Sequence, residues 1–297
     1  MPSPPGSIQQ SETLFFFDRT ADDWRRNAEG KPAQVNVIAQ RNRCVHHIQE
    51  AHPHARSILD VGCGTGELVV EMAKKGLQAT GVDFAPEMIR ACEELRTRLG
   101  VRAQFTCCSI FDHEAADESQ DLVSALGFIE YISAAQLTEL LRLARRILRP
   151  DGILALGSRN RLFNLFSLNE YTQIEMNLGT MDALLREAIA IGRAENCETF
   201  LRNAVVAPTL PQPENHPNTG IGVSVRYQYT PAELASVLRA TGFDPIVVYP
   251  VHYHAMPPSV AKRLPEAHVT FANWAFELQD HRLTPSSSSF VIGARKN

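Results

Sequence analysis

The chain has 297 residues, of which 44% are hydrophobic and 21% charged, with a formal net charge of −4. This is ordinary globular usage that can bury a full core, and it leaves no broad basic face to neutralise a phosphate backbone, so nucleic acid is not expected as a partner. The apolar run Leu14 to Phe17 is too short to span a bilayer and meets Asp18 and Arg19 at once, so no membrane partner is expected either.

The six cysteines, Cys44, Cys63, Cys92, Cys107, Cys108 and Cys197, have no C-x-x-C spacing, and nothing upstream reads as a secretory signal. They are expected to be reduced thiols of a cytoplasmic protein. A homodimer is left open.

Residues 1 to 11, rich in Pro and Ser, read as a loose tail, and Leu14 to Glu50 carries spaced apolar and aromatic residues suited to helices. Residues 1–55 are therefore taken as a tail and helical lid. From Ser57, short apolar runs alternate with amphipathic stretches, the pattern of a parallel sheet flanked by helices. Strands are predicted at Ser57 to Val61, Gln78 to Asp83, Ala103 to Cys107, Asp121 to Leu126 and Gly152 to Ser158. Helices are predicted near Gly66 to Lys75, Pro86 to Leu99 and Ala134 to Leu148, and residues 56–158 form the predicted core.

Residues 159–228 break this rhythm with a helix around Met181 to Arg193 and the Pro-rich run Pro208 to Pro217, and form the candidate substrate cap. Residues 229–297 complete the core. Thr230-Pro231-Ala232-Glu233 supplies an N-cap, a first-turn proline and an N3 acid ahead of Leu234, Val237 and Leu238, and Gly242 ends that helix. The last two strands are predicted at Ile246 to Val251 and Phe290 to Ala294, with His281 to Ser289 a polar loop. The expected fold is α/β: a Rossmann-like, doubly wound, mostly parallel seven-stranded sheet with an N-terminal helical segment and an inserted cap.

Ile58 to Gly66 is a buried strand running into a glycine loop and then a helix, where the backbone must turn tightly and approach a ligand that a Cβ would obstruct. Asp83 stands 23 positions after Asp60 at a predicted strand end, where a carboxylate can accept both hydroxyls of a ribose. Loop and acid together favour an adenosine-containing ligand. A dinucleotide loop wants glycine or alanine where this chain has Glu67, because a carboxylate there would face two phosphates. That counts against a nicotinamide oxidoreductase. S-adenosylmethionine, which has no phosphate and carries an ammonium and a sulfonium, suits Asp60 and Glu67 better.

The stretch D-V-G-C-G-T-G over Asp60 to Gly66, G-V-D-F-A-P-E-M over Gly81 to Met88, and R-P-D-G-I-L over Arg149 to Leu154 resemble the class I S-adenosylmethionine-dependent methyltransferase family of small-molecule type. The resemblance covers roughly Ile58 to Ser158. It implies S-adenosyl-L-methionine as cofactor and S-adenosyl-L-homocysteine as product. It further implies that Asp60, Gly62, Cys63 and Gly64 line the methionine end, that Asp83 holds the ribose, and that Phe84, Met88 and Leu126 pack nearby. Family members often have an acid after the third strand to receive the adenine amino group; here Cys108-Ser109 stands instead, so Ser109 and the Ile110 amide are the substitutes, with Asp112 a little further on. Phe17-Asp18-x-x-Ala21-x-x-Trp24 is similar to the N-terminal helix that closes over the cofactor in many small-molecule members, plain packing being the alternative.

On the acceptor side, Glu130 and Tyr131 follow the fourth strand at its ligand-binding end, and Tyr171 and Tyr227 lie in or beside the cap. Glu130, His252 and His254 are the candidate proton acceptors; local ion pairing is the alternative for Glu130, and packing for the histidines. His252 and His254 should point the same way, but no third ligand follows at a recognisable spacing, so no metal is expected. Phe271, Trp274 and Phe276 read as a core cluster. The expected activity is methyl transfer to a small molecule, a secondary metabolite or a saccharide intermediate, with non-catalytic cofactor binding as the alternative.

Overall fold

The computed structural model describes residues 12–20, 34–204, 210–213 and 226–297. The predicted tail, Trp24, His216 and most of the Pro208 to Pro217 run lie outside these residues.

The chain opens with helices α1 (residues 12–20) and α2 (Val37–Ala51). The alternating core follows as β1 (Ser57–Val61), α3 (Glu67–Lys74), β2 (Gln78–Asp83), α4 (Pro86–Leu99), β3 (Ala103–Cys107), β4 (Gln120–Leu126), α5 (Ala134–Ile147) and β5 (Leu148–Arg159). A helical segment comprises α6 (Asn164–Ser167), α7 (Glu170–Leu178), α8 (Met181–Arg193) and α9 (Cys197–Asn203). The chain then completes the sheet through α10 (Pro231–Ala240), β6 (Phe243–Tyr253), α11 (Pro258–Ala261), α12 (Pro265–Leu278) and β7 (Ser287–Lys296).

The strands form one seven-stranded sheet in the order β3-β2-β1-β4-β5-β7-β6. It is parallel except for β7, which runs antiparallel to both β5 and β6. Every residue of β1 is buried, as a central strand covered on both faces requires. Successive side chains feed opposite layers: Leu59 and Leu154 pack with α5, α8, α9 and α10, whereas Ile58 and Ile153 pack with α2, α3 and α12. The order reverses at β1, so the loops after β1 and β4 diverge and leave a crevice at the carboxyl ends of the strands.

Local signals explain most boundaries. The Ser133 and Gln136 capping box starts α5, and the Thr230 and Glu233 box with Pro231 at the first turn starts α10 as its sequence foretells. Three strands are appreciably longer than predicted, β6 at both ends, running Phe243–Tyr253. Leu148 already pairs with Gln120 and Ile153 with Leu122, so Arg149 to Gly152 loops out within β5. The predicted polar loop before β7 is shorter, because Ser287 and Ser289 enter the strand fully buried with their hydroxyls donating to Leu283 O and Ser158 O. The aromatic cluster near the end also differs: Phe276 is core, but Phe271 and Trp274 lie on the outer side of α12, 46% and 59% exposed.

The helical segment after β5 is packed into the main core through Leu184, Ile191, Phe200 and Leu201. An ion pair between Arg161 and Glu175, 1% and 2% exposed, holds it. Glu175 accepts from Arg161 Nε (3.0 Å) and Nη2 (2.8 Å), from Asn164 Nδ2 (2.7 Å) and from the Thr180 hydroxyl. Removing one member strands a buried charge, so Glu175→Ala should lower unfolding free energy by about 3–5 kcal/mol in urea titrations. A loss below about 1 kcal/mol would mean the segment is not held by this pair.

Candidate cofactor and acceptor site

The glycine loop leaves β1 with Gly62 and Gly64 at φ +65° and +54°, conformations that side chains other than glycine's rarely adopt. A Cβ on Gly62 would sit 2.6 Å from the Phe128 ring, whereas one on Gly64 would meet nothing within 4 Å. Gly62 is thus required by packing against the protein, and Gly64 keeps open the space in front of the loop. The loop is braced by Gly62 N and Cys63 N, which donate to Val82 O, and by Gly64 N, which donates to Asp83 Oδ2 (3.0 Å). Asp83 Oδ1 accepts from Ala85 N (3.0 Å). Asp83 therefore ties the end of β2 to the loop after β1.

Asp60 and Asp83 are 5% and 8% exposed, and neither is paired with a cation among the described residues. Ser124 Oγ donates to Asp60 Oδ1 (2.7 Å). Burial dominates both groups and pushes Asp60 up to about 7 and Asp83 up to about 6. Glu67, at the start of α3, receives the Thr65 hydroxyl at 2.8 Å.

These residues line a cleft of about 1280 Å³ including its open mouth. Asp60, Gly62, Cys63, Gly64, Asp83, Phe84 and Met88 form one wall. Ser109, Ile110 and Leu126 close the far side of it, while Asp112 is not among the lining residues. Ser109 Oγ accepts from Phe111 N (3.3 Å), capping the single turn Ile110–Asp112. Helix α1 covers this wall: Leu14 and Phe17 pack on Phe84, Ala85 and Met88, and Asp18 Oδ1 accepts from Glu87 N (3.3 Å).

The acceptor end is built by Glu130 and Tyr131 after β4, with Phe17, Arg41 and Arg226. The Phe17 and Tyr131 rings meet edge to face at 5.3 Å, and the Arg226 guanidinium lies 5.5 Å from the Tyr131 ring centre. Glu130, 1% exposed, is 2.7 Å from Arg226 Nε and 3.7 Å from Arg41 Nη2. The local ion pairing weighed for Glu130 is therefore present, and it occupies the carboxylate that was the candidate proton acceptor.

The structure does not bring every predicted residue here. Tyr171 lies under the Arg159 guanidinium at 5.3 Å, and Tyr227 packs on the core while its N–H donates to Glu130 O (2.8 Å). Neither lines the cleft. His252 and His254 do share one side, with ring centres 4.4 Å apart, but they are also outside the lining; their neighbour is His268 of α12. Burial keeps all three imidazoles below the usual histidine range, His254 at about 4.

Arg41 and Arg226 were missed by sequence reasoning. A signal existed for Arg41, because Ile38, Arg41, Asn42, Val45 and Ile48 fall at helical spacing on one face of α2 and polar residues there interrupt an apolar stripe. Arg226 carries no comparable signal.

Residues 58–152 match a family described as "Methyltransferase domain". The chain is 33% identical over 167 residues to a ubiquinone biosynthesis O-methyltransferase of Xanthomonas campestris pv. campestris, covering 56% of this chain and 68% of that one. To the like-named protein of Methylobacterium sp. it is 28% identical over 179 residues, 57% of this chain and 71% of that one. Among solved structures, the fold resembles magnesium protoporphyrin IX methyltransferase of Synechocystis at TM-score 0.58 and 14% identity, covering 97% of this chain and 100% of that one. It also resembles 1,6-didemethyltoxoflavin-N1-methyltransferase of Burkholderia thailandensis at TM-score 0.55 and 17% identity, covering 100% and 93%. The chain belongs to the class I S-adenosylmethionine-dependent methyltransferases, whose cofactor is S-adenosylmethionine. No helix among the described residues is long and apolar enough to cross a membrane.

The cleft fits that cofactor on its own chemistry, since two buried carboxylates without cations face the space that Gly64 keeps open. Gly64→Val, which fills that space, and Asp83→Ala, which unties the loop, should each weaken S-adenosylhomocysteine binding more than about tenfold, or about 1.4 kcal/mol. Calorimetry on folded variants checks this, and wild-type affinity in both would refute the assignment of these residues.

Proposed function

We propose that this chain transfers a methyl group from S-adenosylmethionine to a hydroxyl of a small-molecule acceptor that also carries an anionic group. The acceptor is a secondary metabolite or a saccharide intermediate bearing an acid. The observation that carries this reading is the charge at the acceptor end. Arg41 and Arg226, which line the cleft, pair with a single carboxylate, Glu130, and Arg159 adds its charge from behind the lining. Arg159 Nε is buried and has no hydrogen-bond partner among the described residues. Burial, and then the like charge of Arg226, lower the Arg159 guanidinium from its ordinary value. An excess of buried guanidinium is relieved by an acidic ligand, and a planar fork suits a carboxylate.

The cofactor, when bound, supplies an electrophilic methyl on a sulfonium. The chain's residues then have to position the acceptor oxygen and exclude water. Asp60, Asp83 and the glycine loop hold the cofactor, and Phe84, Met88 and Leu126 flank it. Tyr131 and Phe17, edge to face, would give the acceptor an apolar surface. Arg159 ends β5, and Arg226 stands shortly before α10. The names of the Xanthomonas and Methylobacterium relatives support an oxygen acceptor. The net charge of −4 and the enclosed cleft support a small molecule rather than a nucleic acid, and the unpaired cysteines support a cytoplasmic setting.

Screening with labelled cofactor should give turnover on hydroxylated carboxylic acids and a much weaker reaction on their methyl esters. Arg226→Met should raise KM for the acid at least about tenfold while S-adenosylhomocysteine affinity stays within about twofold of wild type. Equal turnover of acid and ester, unaltered by Arg226→Met, would remove the anionic acceptor from the account.

A further inference from the structure

We propose that His252, His254 and His268 form a binding site for a divalent transition-metal ion such as zinc, with a fourth position open. The site lies outside the cofactor cleft and does not rest on the acceptor reading. His252 is the penultimate residue of β6, His254 follows the strand, and His268 comes from α12, so two separate elements converge at the end of β6. One nitrogen of each ring lies within 4.8 Å of the others. His252 Nε2 and His268 Nε2 are 3.1 Å apart, a separation that subtends about 100° at a metal about 2.0–2.1 Å from each. The widest separation exceeds the roughly 3.4 Å of a tetrahedral pair by less than about 1.5 Å, within reach of small ring rotations.

Three features distinguish this cluster from ordinary packing. His252 is held at φ +57°, a strained conformation for a bulky residue, by its N–H donating to Gln40 Oε1 (2.8 Å). Its Nδ1 lies 2.9 Å from Ser288 Oγ; with Nδ1–H donating there, Nε2 turns its lone pair towards His268, the orientation that an outer hydrogen bond imposes on a metal-bound imidazole. Both ring nitrogens of His254 and Nδ1 of His268 are buried without a hydrogen-bond partner among the described residues, an unexplained cost in a purely structural cluster.

Imidazole ligands without carboxylate select zinc, copper, nickel or cobalt over magnesium or calcium. The nearby cation is Arg41, whose guanidinium donates to Ser289 Oγ (2.9 Å) and lies 3.7 Å from Glu130. It opposes a second positive charge, so the site is expected to bind less tightly than an uncharged setting would allow.

The test is titration of chelator-treated full-length protein with Co²⁺, followed by displacement with Zn²⁺. The expected result is one equivalent of Co²⁺ with the intense visible absorption of a four-coordinate ion, lost on adding Zn²⁺. His254→Ala and His268→Asn should each weaken binding by more than the roughly 10–100-fold that losing an outer-shell partner costs, and Ser288→Ala should fall within that range. Cys107→Ser with Cys108→Ser should leave the signal intact. Calorimetry with S-adenosylhomocysteine identifies variants that remain folded. Absence of Co²⁺ binding in wild type, or binding undiminished in folded His254→Ala and His268→Asn, overturns the proposal.

Discussion

Two carboxylates are buried side by side at the ends of the central strands β1 and β2, with hydroxyl and amide donors around them but no cation among the described residues. Asp60 is fixed by Ser124 from the neighbouring β4, and Asp83 bonds the loop that follows β1. Both line the crevice at the carboxyl ends of the strands and are otherwise buried. Their folded-state values of about 7 and about 6 lie above those of an unfolded aspartate. In the protein without ligand they therefore cost stability as pH rises from about 4 to about 7, and a ligand that brings positive charge removes that cost. The glycine loop, the lid helix and the crevice can all be read as arrangements that bring such a ligand to these two groups.

The opposite end of the cleft carries the opposite sign. Glu130 joins Arg41 from α2 to Arg226 from the segment before α10, so one carboxylate links the N-terminal helices, the loop after β4 and the return to the sheet. Tyr131 takes part through its ring, against Phe17 on one side and Arg226 on another. The acidic and basic ends thus face each other across the cleft between Gly64 and Tyr131. The Arg161 and Glu175 pair fixes the neighbouring helices α6 and α7 from within.

Much of this was legible in the sequence because it rests on local rules. A short, mostly apolar strand, a glycine loop, an acid at the next strand end and the Thr230 to Glu233 capping box each depend on a few adjacent residues. The parts that escaped depend on pairings across the chain. Arg41 interrupts the apolar stripe of α2, but nothing local names its partner Glu130, and Arg226 follows a Pro-rich stretch with no periodicity. His268 is 14 positions beyond His254 on a helix whose exposed Phe271 and Trp274 obscure its apolar face, so spacing alone could not join it to the histidines of β6. Ser287 and Ser289 read as loop because their hydroxyl partners lie on other segments.

The central claim, that the cleft is organised around two buried acids awaiting a cationic cofactor, is tested most directly by counting protons on binding. Calorimetry of S-adenosylmethionine binding at pH 6.5, in buffers of different ionisation enthalpy, should register net proton release that fades by about pH 8, with affinity rising as pH increases from about 5 to about 7. Binding with no proton exchange and an affinity independent of pH across that range would contradict it.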